Sequence, residues 1–302
     1  FDPDEAEQLR SRCHGNEAIV TSVKETEKKV KAPKLYDLTT LQREANRIYG
    51  MTAKQTLDTA QSLYEKKLIT YPRTDSQYLT EDMEQTARNV VRQIYEKYQL
   101  TGPFDQPEQP DVKKVMNNSK VTDHHAIIPT MELASSHLDE LKSWEEKILF
   151  LIAVHTVMAM SKDHIYQETE IEVECQGEIF KAKGRTVLQD GWKLFENCFK
   201  NKDRMAIVDP DQEMKERMPK VTQGQTFYAV AAEKTEHFTS PPKPYSEDTL
   251  LAAMETAGNK EFDEDTEKKG LGTPATRAGI IEKLIYSQYA TRKGKQILPT
   301  DD

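Results

Sequence analysis

The chain has 302 residues, with 42 Lys and Arg against 51 Asp and Glu, a formal net charge of −9 and 36% hydrophobic residues. That length suits two or three domains with cores of their own, and the widely spaced Cys13, Cys175 and Cys198, with no C-x-x-C, argue against a disulfide framework or a zinc ribbon. No apolar run approaches the ~20 residues of a membrane span, and the acidic, polar start Phe1-Asp2-Pro3-Asp4 is not a signal peptide, so the chain reads as soluble and intracellular. A charge of −9 taken alone argues mildly against a nucleic-acid partner.

Residues 1–34 are charged and weakly patterned; Ala18-Ile19-Val20 with Val23 predicts a short strand, and Lys28–Lys34 a basic linker. From Thr39 the pattern turns helical. Thr39 with Gln42 fits a capping box, Leu41, Ala45 and Ile48 recur at helical spacing, and Gly50 stands where the helix should stop. Thr52 with Gln55 opens a second helix over Ala53–Lys67, whose apolar face would be Leu57, Ala60 and Tyr64. Two capped helices joined by a short Gly-containing turn, then the β-prone Leu68–Tyr71 closed by Pro72, follow the order of a winged-helix unit.

Thr80–Tyr98 reads as a third helix and Gly102–Pro110 as a Pro-rich loop. Ser143–Met160 is a strong helix with Trp144, Ile148, Leu151 and Ile152 on one face. The period then changes to two: Thr169–Cys175 alternates, Glu178–Ala182 predicts a second strand after Gly177, and Thr226–Ala232 a third, so 165–236 should be mostly antiparallel β. Three prolines make Thr239–Tyr245 an extended linker, and helices resume at Ser246–Thr256 and Pro274–Ser287. The start at Phe1 and the stop at Asp302 without a helix end suggest a piece of a longer polypeptide.

Three stretches could carry chemistry. In Ile69-Thr-Tyr-Pro-Arg-Thr-Asp-Ser76, an extended segment would put Tyr71 and Arg73 on one side. A phenol titrates near ~10, so it needs help to act as a nucleophile at neutral pH, and a guanidinium both favours the phenolate and forks onto a phosphate. A bare Tyr-x-Arg is nevertheless commonplace in a core edge. In Val121-Thr-Asp-His-His-Ala-Ile-Ile-Pro-Thr130, the histidines could donate a proton, bind phosphate or serve structure. Asp-His-His also occurs in DHH phosphoesterases, but the further Asp motifs of such metal sites are missing. In Gly270-Leu-Gly-Thr-Pro-Ala-Thr-Arg-Ala-Gly279, helix N-terminal amides, threonine hydroxyls and Arg277 could cradle a backbone phosphate; this is no P-loop, lacking G-K-[ST]. The acidic run Glu261–Glu267 reads as a solvated loop, and no metal site is predicted.

Taken together and in this order, the motifs resemble the type IA DNA topoisomerases, and within them the topoisomerase III branch. Thr39–Ser76 looks like the segment that carries the family's nucleophilic tyrosine, His-His-Ala-Ile-Ile-Pro-Thr like its histidine segment, and Asp190-Gly-Trp192, Ser240–Tyr245 and Gly270–Arg277 match later landmarks. The resemblance implies Tyr71 as nucleophile, Arg73 stabilising the scissile phosphate, and His124, the first of the pair, assisting there. It implies DNA contacts from Gln61, Thr70, Thr74 and Asp75, and weaker ones from Lys243, Thr273, Thr276 and Arg277. The implied reaction is transesterification through a 5′-phosphotyrosine, with strand passage and religation and without ATP.

The implied fold is multidomain α+β, with winged-helix or CAP-like helical domains joined by an antiparallel β arch, as part of the family's toroid. The expected domains are 1–34 plus 164–236 for the arch, 35–163 for the tyrosine domain, and 237–302 for part of a second helical DNA-binding domain. The family's Toprim domain, with its acidic cluster for Mg²⁺, has no counterpart in this sequence. The expectation is therefore a monomeric, cytoplasmic, nucleoid-associated enzyme whose present piece binds single-stranded DNA without relaxing supercoils. The rivals are a non-catalytic winged-helix binding module, a tyrosine recombinase or type IB enzyme, and a DHH phosphoesterase. Charge is unevenly spread: residues 31–80 carry +3 and 268–302 carry +4, leaving −16 on the other 217. The positive balance coincides with the stretches around Tyr71 and Arg277.

Overall fold

The computed structural model describes residues 2–100, 110–196, 219–258 and 270–300. Most of the Pro-rich loop, Cys198 and the acidic run 261–267 lie outside the described residues. The chain is α+β and divides into two compact units, residues 1–31, 163–191 and 208–242 in the first, and 32–162, 192–207 and 243–302 in the second.

The first unit opens with a helix where the sequence suggested none, α1 (Pro3–Cys13). Asp2 caps it by accepting from the Asp4 amide, Pro3 occupies its first turn, and Arg10 and Arg12 lie at its C-terminal end, as the helix dipole favours. Its apolar stripe is narrow, which is why the charged residues hide it. The predicted short strand is instead a 13-residue one, β1 (Ala18–Val30), which takes in the first three residues of the expected basic linker Lys28–Lys34. It pairs antiparallel with β2 (His164–Cys175), which pairs with β3 (Glu178–Gln189) across the turn Gln176-Gly177, where both φ angles are positive. The short β4 (Thr226–Phe227) adds to the start of β1, giving the order β3-β2-β1-β4. It ends well before the predicted Ala232 because Ala229 takes φ +56° and turns the chain out of the ladder.

The alternating glutamates of β2 meet cations on β3. Glu172 faces Lys181 at 2.7 Å, Glu170 pairs with Lys183, and Arg185 lies 3.9 Å from Glu168. Buried apolar groups gather at one end, where Cys13, Ala18 and Cys175 pack with Leu9, Val173, Val230 and Ala232. Each cysteine sulfur approaches the other's carbonyl, at 3.5 and 3.7 Å, and both thiols are free.

The second unit is built on helices α2 (Leu38–Tyr49), α3 (Ala53–Glu65), α4 (Glu84–Tyr98) and α5 (Ser143–Ala159). The cap of α2 is Asp37 paired with Thr40, two residues before the predicted box. Thr39 and Gln42 are buried and otherwise engaged: Thr39 meets Arg277, and Gln42 donates to the Ala53 carbonyl. Gly50 ends α2 in the left-handed region, and Thr52 with Gln55 caps α3 as predicted. The predicted third helix starts with a 3-10 turn, Glu81–Met83, before α4 proper. Helix α5 is buried almost all round; only Trp144, 47% exposed, leaves the face it was expected to share with Ile148, Leu151 and Ile152. The β-prone Leu68–Tyr71 forms only an isolated bridge, Ile69 with Pro129, because Pro72 and Pro129 have no N–H with which to extend a ladder.

Residues 243–300 add α6 (Glu247–Thr256), α7 (Pro274–Tyr286) and a hairpin that the sequence reading missed, β5 (Ala290–Lys293) with β6 (Gln296–Pro299). Buried Glu247 accepts from the Ala53 amide at 2.6 Å and from Arg292, while Asp248 pairs with Arg43. These contacts fix α6 against the first turns of α2 and α3.

One buried carboxylate joins α3 to α5. Glu145 accepts from Lys66 at 2.6 Å, from the Ser62 hydroxyl at 2.7 Å and from the Lys142 amide at 2.9 Å. Burial alone would raise its carboxyl, but the Lys66, Ser62 and Lys142 hydrogen bonds outweigh that and hold it at about 2. Because the folded value lies below the unfolded one, this stabilisation is present above about pH 4.5 and is lost as pH falls toward 2. We expect Glu145→Gln to cost about 1–3 kcal/mol at neutral pH. Thermal melts from pH 7 to 2 should show that loss and a flatter acid limb in the variant; parallel limbs would contradict it.

Candidate active site

The residues around Tyr71 belong to no regular element, so their shape depends on side-chain hydrogen bonds. The segment 68–78 lies alongside 124–130. Backbone bonds join Thr70 to Ile128 (3.0 Å), Thr130 to Leu68 (3.0 Å) and Ala126 to Tyr78 (2.9 Å). The Thr70 hydroxyl donates to the Ala126 carbonyl at 2.9 Å and accepts from the Ile128 amide at 3.0 Å. The buried Thr74 hydroxyl donates to the His124 carbonyl at 2.9 Å and accepts from the Ser76 amide at 3.1 Å. Thr70 and Thr74 thus flank Tyr71-Pro72-Arg73, and each is tied to the histidine segment. Pro72 is buried between them, which anchors the loop and leaves its neighbours outward.

Tyr71 and His124 meet directly, with ring centroids 4.2 Å apart and planes inclined by 41°. The Tyr64 ring, on the last turns of α3, approaches Tyr71 edge-on at 5.4 Å. Gln61 lies one turn before Tyr64 on that helix and bonds to Glu65 at 3.2 Å. Arg73 and Asp75 are exposed and carry no hydrogen bond or ion pair among the described residues. His125 turns away, with Nδ1 2.9 Å from the Ala126 carbonyl. Of the histidine pair it is therefore the first that reaches the tyrosine.

The second predicted phosphate cradle is built differently. Arg277 is only 3% exposed; its guanidinium donates to the Thr39 hydroxyl at 3.0 Å and to the carbonyls of Leu271 and Gly272. It fastens α7 and the preceding glycine turn to α2, and so does not present itself to a strand. Nearby, burial pushes the Asp37 carboxyl up to about 6, against the Thr40 hydrogen bonds. Thr273 and Thr276 form the capping box of α7, each occupied by the other. Likewise the Thr70 and Thr74 hydroxyls, expected to touch DNA, are spent on internal bonds. Lys243 is exposed, on the extended linker. Tyr64 was not singled out for the site, since nothing in the spacing of an apolar helix face marks the residue that will pack on a loop tyrosine. Among the described residues no group of three or more His, Cys, Asp or Glu could hold a metal ion, and no helix is long and apolar enough to cross a membrane.

The arrangement offers a phenol packed on an imidazole, with a guanidinium two residues along and open to solvent. It can take a phosphate ester. The family model described as DNA topoisomerase matches residues 1–302. The chain is 38% identical to DNA topoisomerase 3 of Bacillus subtilis over 312 residues, covering 99% of this chain and 42% of that protein. It is 36% identical to DNA topoisomerase 3 of Haemophilus influenzae over 307 residues, covering 98% and 45%. The solved structure of full-length topoisomerase I from Thermotoga maritima aligns with a TM-score of 0.71 at 25% identity, over 99% of this chain and 45% of that one. The chain therefore spans less than half the length of these relatives.

Replacing Thr70 by Val keeps the volume and removes both hydroxyl bonds. We expect a local cost of about 1–3 kcal/mol. The Ile128 amide should then exchange about tenfold faster or more, since 1.4 kcal/mol is a factor of ten. Hydrogen-exchange mass spectrometry on peptides covering 124–130 reads this, and unchanged protection would show that the hydroxyl does not hold the segment.

Proposed function

The chain belongs to the DNA topoisomerase family, within its type IA members, and we propose that Tyr71 is the nucleophile with which it opens one strand of DNA. The observation that supports this most is the packing of the Tyr71 ring on His124 at 4.2 Å, with Arg73 exposed beside it. The Tyr71 oxygen attacks a backbone phosphorus, the new P–O bond forms a 5′-phosphotyrosine, and the bond to the 3′ oxygen breaks. The phenol gives up its proton, and the leaving oxygen departs as a 3′-OH. His124, in contact with the phenol ring, sits where it can assist at the same phosphate. Arg73 offers a fork of donors to the non-bridging oxygens, where charge builds in the transition state. Reversal by the 3′-OH reseals the strand. The phosphotyrosine conserves the ester energy, so ATP is not needed.

Gln61, one turn from Tyr64, and exposed Asp75 and Lys243 are the DNA contacts that remain open to a strand in this reading. Thr70 and Thr74 act instead by holding the two segments together. Magnesium belongs to the family resemblance, but the described residues supply no acidic cluster to hold it, and no step is assigned to it. We further read 35–163 as the tyrosine domain, 1–34 with 164–236 as the β arch, and 237–302 as part of a second helical DNA-binding domain. We read the protein as a cytoplasmic, nucleoid-associated monomer.

Covalent capture tests the nucleophile. The full-length protein, quenched with detergent on a labelled single-stranded oligonucleotide, should retain 5′-linked DNA, and Tyr71→Phe should abolish the adduct. Arg73→Ala should slow its formation by about 10²–10³-fold. Binding without capture would favour a non-catalytic module, and a 3′ linkage would favour a recombinase-like or type IB mechanism. The 302-residue chain by itself should bind single-stranded DNA and leave supercoiled plasmid unrelaxed, even with Mg²⁺. Relaxation by the purified chain would overturn that part.

A further inference from the structure

The ring of Tyr78 carries two ammonium groups. Lys34 Nζ lies 5.6 Å from the ring centroid and Lys120 Nζ 5.2 Å. They come from separate stretches, Lys34 just ahead of α2 and Lys120 at the end of the 3-10 turn Asn118–Lys120. Both side chains are exposed, and neither has an ion pair among the described residues. The two charges are no more than about 11 Å apart, close to one Debye length at physiological salt, so they repel. A cation over an exposed ring gains about 0.5–1 kcal/mol, which holds an ammonium in place without neutralising it. A single lysine leaning on a tyrosine is ordinary. Two from different segments on one ring, neither in an ion pair among the described residues, leave a positive spot open to an anion.

That spot is fixed to the site. The Tyr78 amide donates to the Ser76 hydroxyl at 3.2 Å, and the same hydroxyl donates to the Lys120 carbonyl at 2.8 Å. The Tyr78 carbonyl accepts from Ala126, two residues past His124. Tyr78 lies seven positions after Tyr71, a reach of at most about 25 Å even if fully extended.

We propose that Lys34 and Lys120, seated on Tyr78, form a phosphate subsite that grips two successive backbone phosphates of a single DNA strand beside Tyr71 and His124. This rests on the reading that the strand lies at Tyr71. The contact is ionic and sequence-independent: the ring sets the spacing of the ammoniums, and the strand supplies the missing counter-charge.

The test is the salt dependence of binding. Fluorescence anisotropy of a labelled oligo-dT with the 302-residue chain, over about 20–200 mM salt, gives a slope of log affinity against log salt. Each phosphate contact to a single strand contributes about −0.7 to that slope. Lys34→Ala with Lys120→Ala should flatten it by about 1.4 and each single change by about 0.7. Tyr78→Phe, which keeps the ring, should leave it alone. Lys181→Ala with Lys183→Ala removes the same charge from β3, where those lysines face Glu172 and Glu170, and should not change it. Melting curves confirm that each variant folds. A wild-type slope in K34A/K120A, or an equal loss in the β3 control, overturns the subsite. If the wild-type chain does not bind the oligonucleotide, the subsite and the strand reading fall together. If the lysine variants flatten the slope while full-length Tyr71→Phe still captures DNA, the subsite stands and only the catalytic reading fails.

Discussion

Two irregular segments lie side by side, and the hydroxyls of Thr70 and Thr74 are what keep them in register. Between 68–78 and 124–130 the backbone forms a single isolated bridge near the tyrosine, because prolines at 72 and 129 remove the donors a ladder would need. Thr70 bonds Ala126 and Ile128, and Thr74 bonds His124 itself. A proline-interrupted loop can thereby expose Tyr71 and Arg73 while their distance to His124 stays defined. A regular strand would have used the same backbone groups and turned alternate side chains into the core. Holding the loop with hydroxyls leaves the Tyr71 hydroxyl and the Arg73 guanidinium free of hydrogen bonds among the described residues.

This loop would be of little use on a soft support. Leu68 and Ile69, at its start, share one core with α5, which is buried on nearly every side, and α3 packs against α5. The junction is made by Glu145, whose three hydrogen bonds pin the end of α3. Tyr64 projects from that end onto Tyr71. The position of the phenol is thus set from two directions, by the histidine segment and by the helix that precedes it. Stability of the core and geometry of the site are coupled through a few polar groups rather than through apolar contact alone.

Much of this was legible where local chemistry decides structure. The box at Thr52 and Gln55, the left-handed Gly50, and the alternating strands either side of Gly177 all form as their residues dictate. The segments of Tyr71 and His124 lie together, as the family resemblance implied. What could not be read was competition among partners. Asp37 and Thr39 both suit a helix cap, and burial of Thr39 against Arg277 decides for Asp37. Thr70, Thr74 and Arg277 are residue types that bind phosphate in other settings; here the threonines are taken by backbone groups some fifty residues on, at Ala126, Ile128 and His124, and Arg277 by the Thr39 hydroxyl and the nearby carbonyls of Leu271 and Gly272. Helix α1 was missed because its charges outnumber its narrow apolar stripe.

The same competition revises the charge argument. The basic excess of 268–302 suggests a surface for DNA, yet its arginines are already engaged: buried Arg277 ties α7 to α2, and half-buried Arg292 is held between Glu247 and Glu282. On the first unit, Lys181 and Lys183 are matched by the glutamates of β2. Net charge per segment therefore counts many cations that have already found their anions. Cations that form no ion pair are the ones that can draw a polyanion, and Arg73, Lys34 and Lys120 are of that kind among the described residues. They cluster on the segments that surround Tyr71 and His124. An acidic protein can thus present a local positive site while its surplus of carboxylates repels DNA elsewhere. Such a balance favours a strand threaded into one place over a duplex spread across the surface.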